Sequence, residues 1–361
     1  MATRWIEGFE NARNETYLNR KYRSQSGVAG FVTGKHGGYA GRWDTDGYLY
    51  TKALTTANEN EWYITWRQKV AANTGAGTPG DAEFMGLIFF ADTDSSLTEQ
   101  VALTLERVTN NSYQWKLYRG ADRSGSLIAT SSSFWAERWY HFQLKVILEN
   151  APNGAYELKI DGTTDVSGSS VDLSELSTNE GADSIGFKLD AQFATAVNVD
   201  IDDIIMNDST GTANNTFSGD GIVRGELPDS DGTHSEWTPS TGSDHYALVD
   251  DSDTSPSDSD FVSAESDNLR DLWGYGAITK IKDDNAAIQI NTYAAMQSSG
   301  SRDFKHYMES NGTETEGSTT FTLSDVAWNC FSEVVEEDPD TTAAWTASGL
   351  NAAEFGIKTV A

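Results

Sequence analysis

The chain has 361 residues, with 25 basic against 55 acidic side chains and a formal charge of −30. Such a field repels phosphate backbones and anionic lipid surfaces, so nucleic acid and membranes are excluded as expected partners. Cys330 is the sole cysteine, which rules out an intrachain disulfide framework, and no run is apolar for long enough to cross a bilayer as a helix.

The opening segment MATRWIEGFENARN has no apolar h-region, so synthesis in a cytoplasm without a signal peptide is expected. Next comes the Gly-rich stretch GGYAGRWDTDGYLY, residues 37–50. Rings at turn tips stack on pyranose faces, and neighbouring polar groups supply hydrogen bonds. Tyr39, Arg42, Trp43, Asp44 and Tyr48 are therefore the candidate glycan-binding set. The competing account is that these rings fill the core, which a chain with 11 Trp, 14 Tyr and 15 Phe must build from something. Core is the better reading for most of them.

Alternation of apolar and polar residues then recurs as strand after strand. Trp62, Ile64, Trp66 and Val70 face opposite to Tyr63, Thr65, Arg67 and Lys69, and Val101, Leu103 and Leu105 interleave with Ala102, Thr104 and Glu106. Phe84 to Ala91 is continuously apolar, as expected of a central strand covered on both sides. Trp135 and Trp139 add two rings to the glycan-stacking candidates. From Trp139 to Gly162 the pattern writes an antiparallel hairpin. Tyr140, Phe142, Leu144, Val146 and Leu148 alternate with polar residues, a Pro-Asn-Gly turn follows, and Tyr156, Leu158 and Ile160 form the return strand. No stretch shows helical spacing.

Val197 to Met206 reads as a closing strand, and residues 208–215 have the composition of a linker. The expected organisation is a β-sandwich over residues 1–207, a linker over 208–215 and an acidic β domain over 216–361. Charge supports the division. Residues 1–207 hold 18 basic and 27 acidic residues, a balance of −9, while residues 208–361 hold 7 and 28, a balance of −21. Solvated acidic faces that keep the chain soluble are the preferred account of that excess. In the second half, Ala286 to Ala294, Thr319 to Leu323, Val326 to Val335 and Ala353 to Val360 read as strands, Cys330 as a buried thiol, and Asp250 to Asp260 as an exposed low-complexity loop.

Calcium is the ligand that the oxygen-rich clusters would suit, with Asp200, Asp202 and Asp203 as the candidate metal site and Asp44, Asp46, Asp229 and Asp231 in similar DTDG and DSDG runs. Ordinary Asx turns are the preferred alternative. His36, His141, His234, His245 and His306 show no zinc-ligand spacing. No Glu-x-Asp-x-x-Glu strand, Gly-x-Ser-x-Gly elbow or phosphate-binding Gly motif is present, so a non-catalytic protein is expected.

Two resemblances are carried by particular residues. WIEGFE near the start, the WYHFQLKV strand and the DIDDI strand resemble the concanavalin A-like or laminin-G jelly roll over residues 1–207. That resemblance implies a jelly-roll sandwich over residues 1–207 with its first and last strands side by side; with the strand patterns of the second half, the expected fold is all-β, a jelly-roll sandwich followed by a second, smaller antiparallel β-sandwich. Residues 200–249, with FSGDGIVRGELPDSDGTHSEWTPSTGSDHYALVD, and the later EDPDTTAAWTASGLNAAEFGIKT resemble a tailed-bacteriophage virion protein family. This implies a structural component of the particle, on tail or head surface, in symmetric homo-oligomeric copies with other virion proteins as partners and host surface polysaccharide as a contact. A free carbohydrate-binding module and a jelly-roll glycan hydrolase or lyase are the alternatives.

Overall fold

A computed structural model describes residues 2–11, 15–55, 58–72, 83–93, 96–120, 125–176, 180–189, 197–251, 257–278 and 287–361. The chain forms two compact units: Ala2–Phe9 with Tyr22–Val223, and Glu10–Lys21 with Arg224–Ala361.

The first unit is a jelly roll. Its strands are β1 (Thr3–Glu7), β2 (Ser24–Thr33), β3 (Tyr39–Tyr50), β4 (Glu61–Val70), β5 (Glu83–Thr93), β6 (Ser96–Thr109), β7 (Ser112–Arg119), β8 (Ser126–Thr130), β9 (Phe134–Trp135), β10 (Trp139–Ile147), β11 (Gly154–Ile160), β12 (Thr163–Val171), β13 (Ser184–Leu189) and β14 (Val199–Asp208). They follow one another across an antiparallel sheet in the order β12-β11-β10-β4-β14-β3-β13-β5-β6-β7-β8, with β1 beside β14, β2 beside β3 and β9 beside β7. The sheet folds over on itself, so that Trp66 of β4 meets Trp115 of β7 at 5.9 Å and Phe142 of β10 meets Trp115 at 5.5 Å and Phe134 of β9 at 5.1 Å. These rings close the core between two layers, and every second residue of β4 and β10 points into it.

The hairpin expected at Trp139 to Gly162 is β10 and β11, with Phe142 opposite Ile160 and Leu144 opposite Leu158. The first and last strands pair as expected, Ile6 with Ile205. In β5 the consecutive Leu87, Ile88 and Phe89 are all buried, as a central strand between β13 and β6 requires.

The units do not divide at the expected linker. Residues 209–223 fold back onto the jelly roll: Asn207 Nδ2 donates to Thr216 O and Ser218 Oγ, Phe217 packs edge-on against Tyr63 at 5.3 Å, and Val223 N donates to Asp203 Oδ1 at 2.7 Å. A polar, turn-rich composition marks the lack of regular structure here, not the lack of contacts.

The second unit begins with a helix, α1 (Glu15–Lys21), and continues through β15 (Pro228–Ser235), β16 (Thr238–Pro239), β17 (Val262–Ser263), β18 (Arg270–Tyr275), β19 (Ile288–Ala294), β20 (Arg302–Ser310), β21 (Thr313–Glu316), β22 (Phe321–Leu323), β23 (Asn329–Val335), α2 (Ala347–Ala352) and β24 (Ala353–Val360). Both helices were absent from the sequence reading, because seven and six residues are too short for a 3.6-residue period to show. A six-stranded sheet runs β15-β18-β24-β20-β21 with β22 beside β20, and β19 pairs with β23 as a separate ribbon. Phe304 and Met308 of β20 and Ala353, Phe355 and Ile357 of β24 are buried on one face of that sheet, together with Ile290 of the ribbon. Cys330 is buried, whereas Val326 is 61% exposed and precedes the strand it was assigned to. Of the expected acidic loop at 250–260, residues 252–256 lie outside the described residues.

Candidate functional site

The outward face of four adjacent jelly-roll strands carries a polar row. Trp139 of β10 lies opposite Lys69 of β4, Lys69 opposite Asp200 of β14, and Asp200 opposite Arg42 of β3. Directly opposed residues project to the same side of a sheet, so the four side chains form a line across it. Asp200 sits at its centre and is 1% exposed. Arg42 donates to it through Nε at 2.6 Å and Nη2 at 2.9 Å, and Lys69 Nζ lies 2.9 Å away. The hydrogen bond to Asp200 raises the pKa of the Arg42 guanidinium above its ordinary value, with Asp44 and Glu137 adding to the effect against partial burial. Lys69 Nζ also stands 5.3 Å from the centre of the Trp139 ring, a cation–π contact.

This arrangement suits a polyhydroxylated ligand. A guanidinium has five N–H donors and an ammonium three, and the contacts to Asp200 use three of those eight. Both cations are partly exposed, and their positions are fixed before any ligand arrives. Trp135, 65% exposed, ends β9, and in the turn that follows Glu137 N donates to Val70 O, which ties that turn to the end of β4 beside Lys69.

A second row lies one pair further along, with His141 opposite Arg67 and Arg67 opposite Asp202. Asp203 falls on a bulge, at φ 50, and turns its carboxylate to the same side. Arg67 donates to Asp203 at 2.9 Å and to Asp220 of the folded-back segment, and His141 Nδ1 is 3.9 Å from Asp220. Burial raises the pKa of the Asp203 carboxyl, outweighing the bonds from Val223 N and Arg67 that oppose it. Burial and then Arg67 lower the His36 imidazole, which lies 4.0 Å from Asp203. With Arg67 and His141 almost fully buried beneath residues 216–223, this row clamps that segment to the sheet and offers a ligand little access.

The expected glycan set is split by the structure. Arg42 and Asp44 point outward on β3, but Trp43 points the other way and is 1% exposed, edge-on to Phe9 at 6.0 Å. Gly41 lets the rings close, since a Cβ there would stand 3.0 Å from both Phe9 and Trp43. Tyr48 stacks on Tyr50 where β3 pairs with β13, away from the Asp200 ladder, and Tyr39 is half-buried at the strand's start. Trp43 is thus a core residue and not a sugar platform. In the sequence Lys69 is one polar residue of an alternating strand, and nothing short of the strand register sets it beside Asp200.

The three carboxylates of the candidate calcium site each have partners within the fold. Asp200 is taken by Arg42 and Lys69, Asp203 by Arg67 and Val223 N, and Asp202 accepts from Lys35 N and Asp203 N, so the three carboxylates do not share an empty centre. Among the described residues, the one His and carboxylate group whose ligand atoms converge within 4.8 Å is His234, Glu309 and Glu314. There Glu314 already accepts from Tyr307 Oη at 2.6 Å and Arg270 at 3.2 Å.

No family model and no curated protein matches the sequence. Solved structures do match in fold. An endo-β-1,4-glucuronan lyase of the fungus Trichoderma reesei is similar over 51% of this chain and 85% of its own, at 11% identity and a TM-score of 0.36. The conserved carbohydrate esterase of Shiga toxin-encoding bacteriophage phi24B is similar over 56% and 99%, at 16% identity and a TM-score of 0.38. The binding domain of botulinum neurotoxin serotype G is similar over 51% and 42%, at 12% identity and a TM-score of 0.35. Likeness at this level concerns the sandwich alone. The expectation of a non-catalytic chain is corrected to this extent: lyases and an esterase stand among the solved proteins with this sandwich, so the missing motifs do not make the chain non-catalytic.

Proposed function

We propose that the chain is a glycan-directed component of a bacteriophage particle, and that its jelly-roll unit binds host surface polysaccharide along the row Trp139, Lys69, Asp200 and Arg42. The observation that carries this reading is the shared carboxylate. Asp200 holds a partly exposed guanidinium and ammonium beside an indole on one strand face, so hydrogen-bond donors and an aromatic ring stand together.

The particle setting is supported by the resemblance of residues 200–249 and the C-terminal segment to tailed-phage virion proteins. Assembly in symmetric copies with other virion proteins belongs to this proposal, as does exposure on the tail or head surface. Screening the protein against immobilised bacterial capsular and O-antigen polysaccharides tests the binding, and antibody labelling of purified particles tests the setting. Absence from particles would remove the setting, and failure to bind any bacterial surface polysaccharide would remove the glycan role.

A further inference from the structure

The second unit buries a hydroxyl, an imidazole and a carboxylate in one hydrogen-bonded chain. His306 lies on β20 between Phe304 and Met308, on the face that also buries Ile357 and Phe355, and it is 0% exposed. Its Nε2 is 3.0 Å from Thr292 Oγ1 of β19, and its Nδ1 is 3.2 Å from Glu333 Oε2 of β23. The other oxygen of Glu333 accepts from Ser318 Oγ at 2.8 Å and Thr319 N at 3.0 Å. Burial pushes the Glu333 carboxyl up, but the bonds from His306, Ser318 and Thr319 outweigh it and hold the group below its ordinary value. When the imidazole is neutral, an ionised Glu333 accepts from its Nδ1–H. Nε2 is then the acceptor, and the Thr292 hydroxyl donates to it.

An apolar side chain would fill that core position at lower cost, since a buried polar group must find partners to offset its lost hydration. Here the three groups satisfy one another in the order that activates an oxygen nucleophile: hydroxyl, base, orienting carboxylate. Thr292 is the half-buried, outermost member. Its cross-strand partner is Phe331, whose ring lies 5.5 Å from Phe321, itself 5.1 Å from the imidazole, so an apolar wall stands beside the hydroxyl.

We propose that Thr292, His306 and Glu333 form an acyl-transfer site that hydrolyses carboxylic esters with a short acyl group. The site belongs to the second unit and does not depend on the proposed glycan-binding row of the first. Thr292 Oγ attacks the ester carbonyl carbon and its proton passes to His306 Nε2. The tetrahedral adduct collapses, the ester C–O bond breaks, and the leaving alcohol takes the proton from Nε2. Water then attacks the acyl-threonine, giving its proton to Nε2, and collapse of that adduct returns the proton to Thr292 Oγ and releases the carboxylic acid. Glu333 stays ionised throughout, holding the imidazole through Nδ1 as a positioning residue.

Incubating the full chain with p-nitrophenyl acetate, quenching in acid and mapping peptides by mass spectrometry tests this. The expected results are nitrophenol release above the buffer rate, an acetyl adduct on the peptide containing Thr292, and a loss of about a hundredfold or more in Thr292→Val, with Thr292→Ser active. Thr292→Val is close to isosteric; should circular dichroism show it unfolded, labelling of the wild-type protein by a fluorophosphonate probe decides, with probe on Thr292 as the supporting result. Equal turnover in wild type and a folded Thr292→Val, or a wild type that carries neither adduct nor probe on Thr292, overturns the proposal.

Discussion

Arg42 grips Asp200 with two nitrogens, at 2.6 and 2.9 Å, across the ladder between β3 and β14. The carboxylate is almost fully buried and the guanidinium is 31% exposed, so the two partners do not lose equally when the pair is broken. Arg42→Ala leaves a buried carboxylate held only by Lys69 and is expected to cost about 2–3 kcal/mol, whereas Lys69→Ala is expected to cost about 1 kcal/mol because Arg42 still binds both oxygens. Urea unfolding of the two variants measures this. An Arg42→Ala protein within about 0.5 kcal/mol of wild type would show that the row is a surface ornament.

Residues 208–223 belong to the jelly roll through Phe217 on Tyr63, Asp220 on Arg67 and Val223 on Asp203. A fragment ending at Val223 is therefore expected to melt at least about 5 °C above one ending at Asn207. Equal melting temperatures would mean that the folded-back segment contributes nothing to the unit.

How much of this was legible in the sequence follows from what each signal measures. The hairpin of β10 and β11 was readable because Phe142, Leu144 and Val146 alternate strictly and a Pro-Asn-Gly turn bounds them. Alternation reports which side a residue faces, but not which strand lies next to it. Hence Asp200 was recognisable as a strand carboxylate, while Lys69 and Arg42, 131 and 158 positions away, became its neighbours only through the strand order β4-β14-β3. Trp43 was misplaced for a related reason: it alternates with Arg42 and Asp44, and only the packing of Phe9 above Gly41 decides that its side is the inner one. The bulge at Asp203 interrupts the period by one residue, which sequence spacing cannot register. Thr292, His306 and Glu333 stand on three strands and share no motif.

Because Asp200 and Asp203 already have cationic partners, a chelator is expected to leave the melting temperature of the jelly-roll unit unchanged, and added calcium is expected not to raise it. Calorimetry with and without chelator checks this. A chelator-sensitive transition in a fragment ending at Val223 would reinstate the cation site.

Acid is expected to act on the two units in opposite senses at two groups. Glu333 titrates below its ordinary 4.5, so the stability it contributes is complete above that value and is lost as the pH falls through the lower folded one. Asp203 titrates above its ordinary 3.8, so its contribution is complete below 3.8 and is lost as the pH rises through the higher folded one. Relative to wild type, Glu333→Gln should therefore be most damaging near neutrality, and Asp203→Asn most damaging in acid. Unfolding curves between about pH 3 and 7 test both signs, and a penalty for Glu333→Gln that grows in acid would reverse the assignment.

The central claim is that a glycan rests on the row from Trp139 to Arg42. Affinity electrophoresis through gels containing bacterial capsular or O-antigen polysaccharide tests it directly, comparing wild type with Trp139→Ala. The expected result is retardation of the wild type by at least one such polysaccharide and about tenfold weaker retardation of a Trp139→Ala protein with an unchanged circular dichroism spectrum. Equal retardation of the two proteins would place the sugar elsewhere and contradict the account.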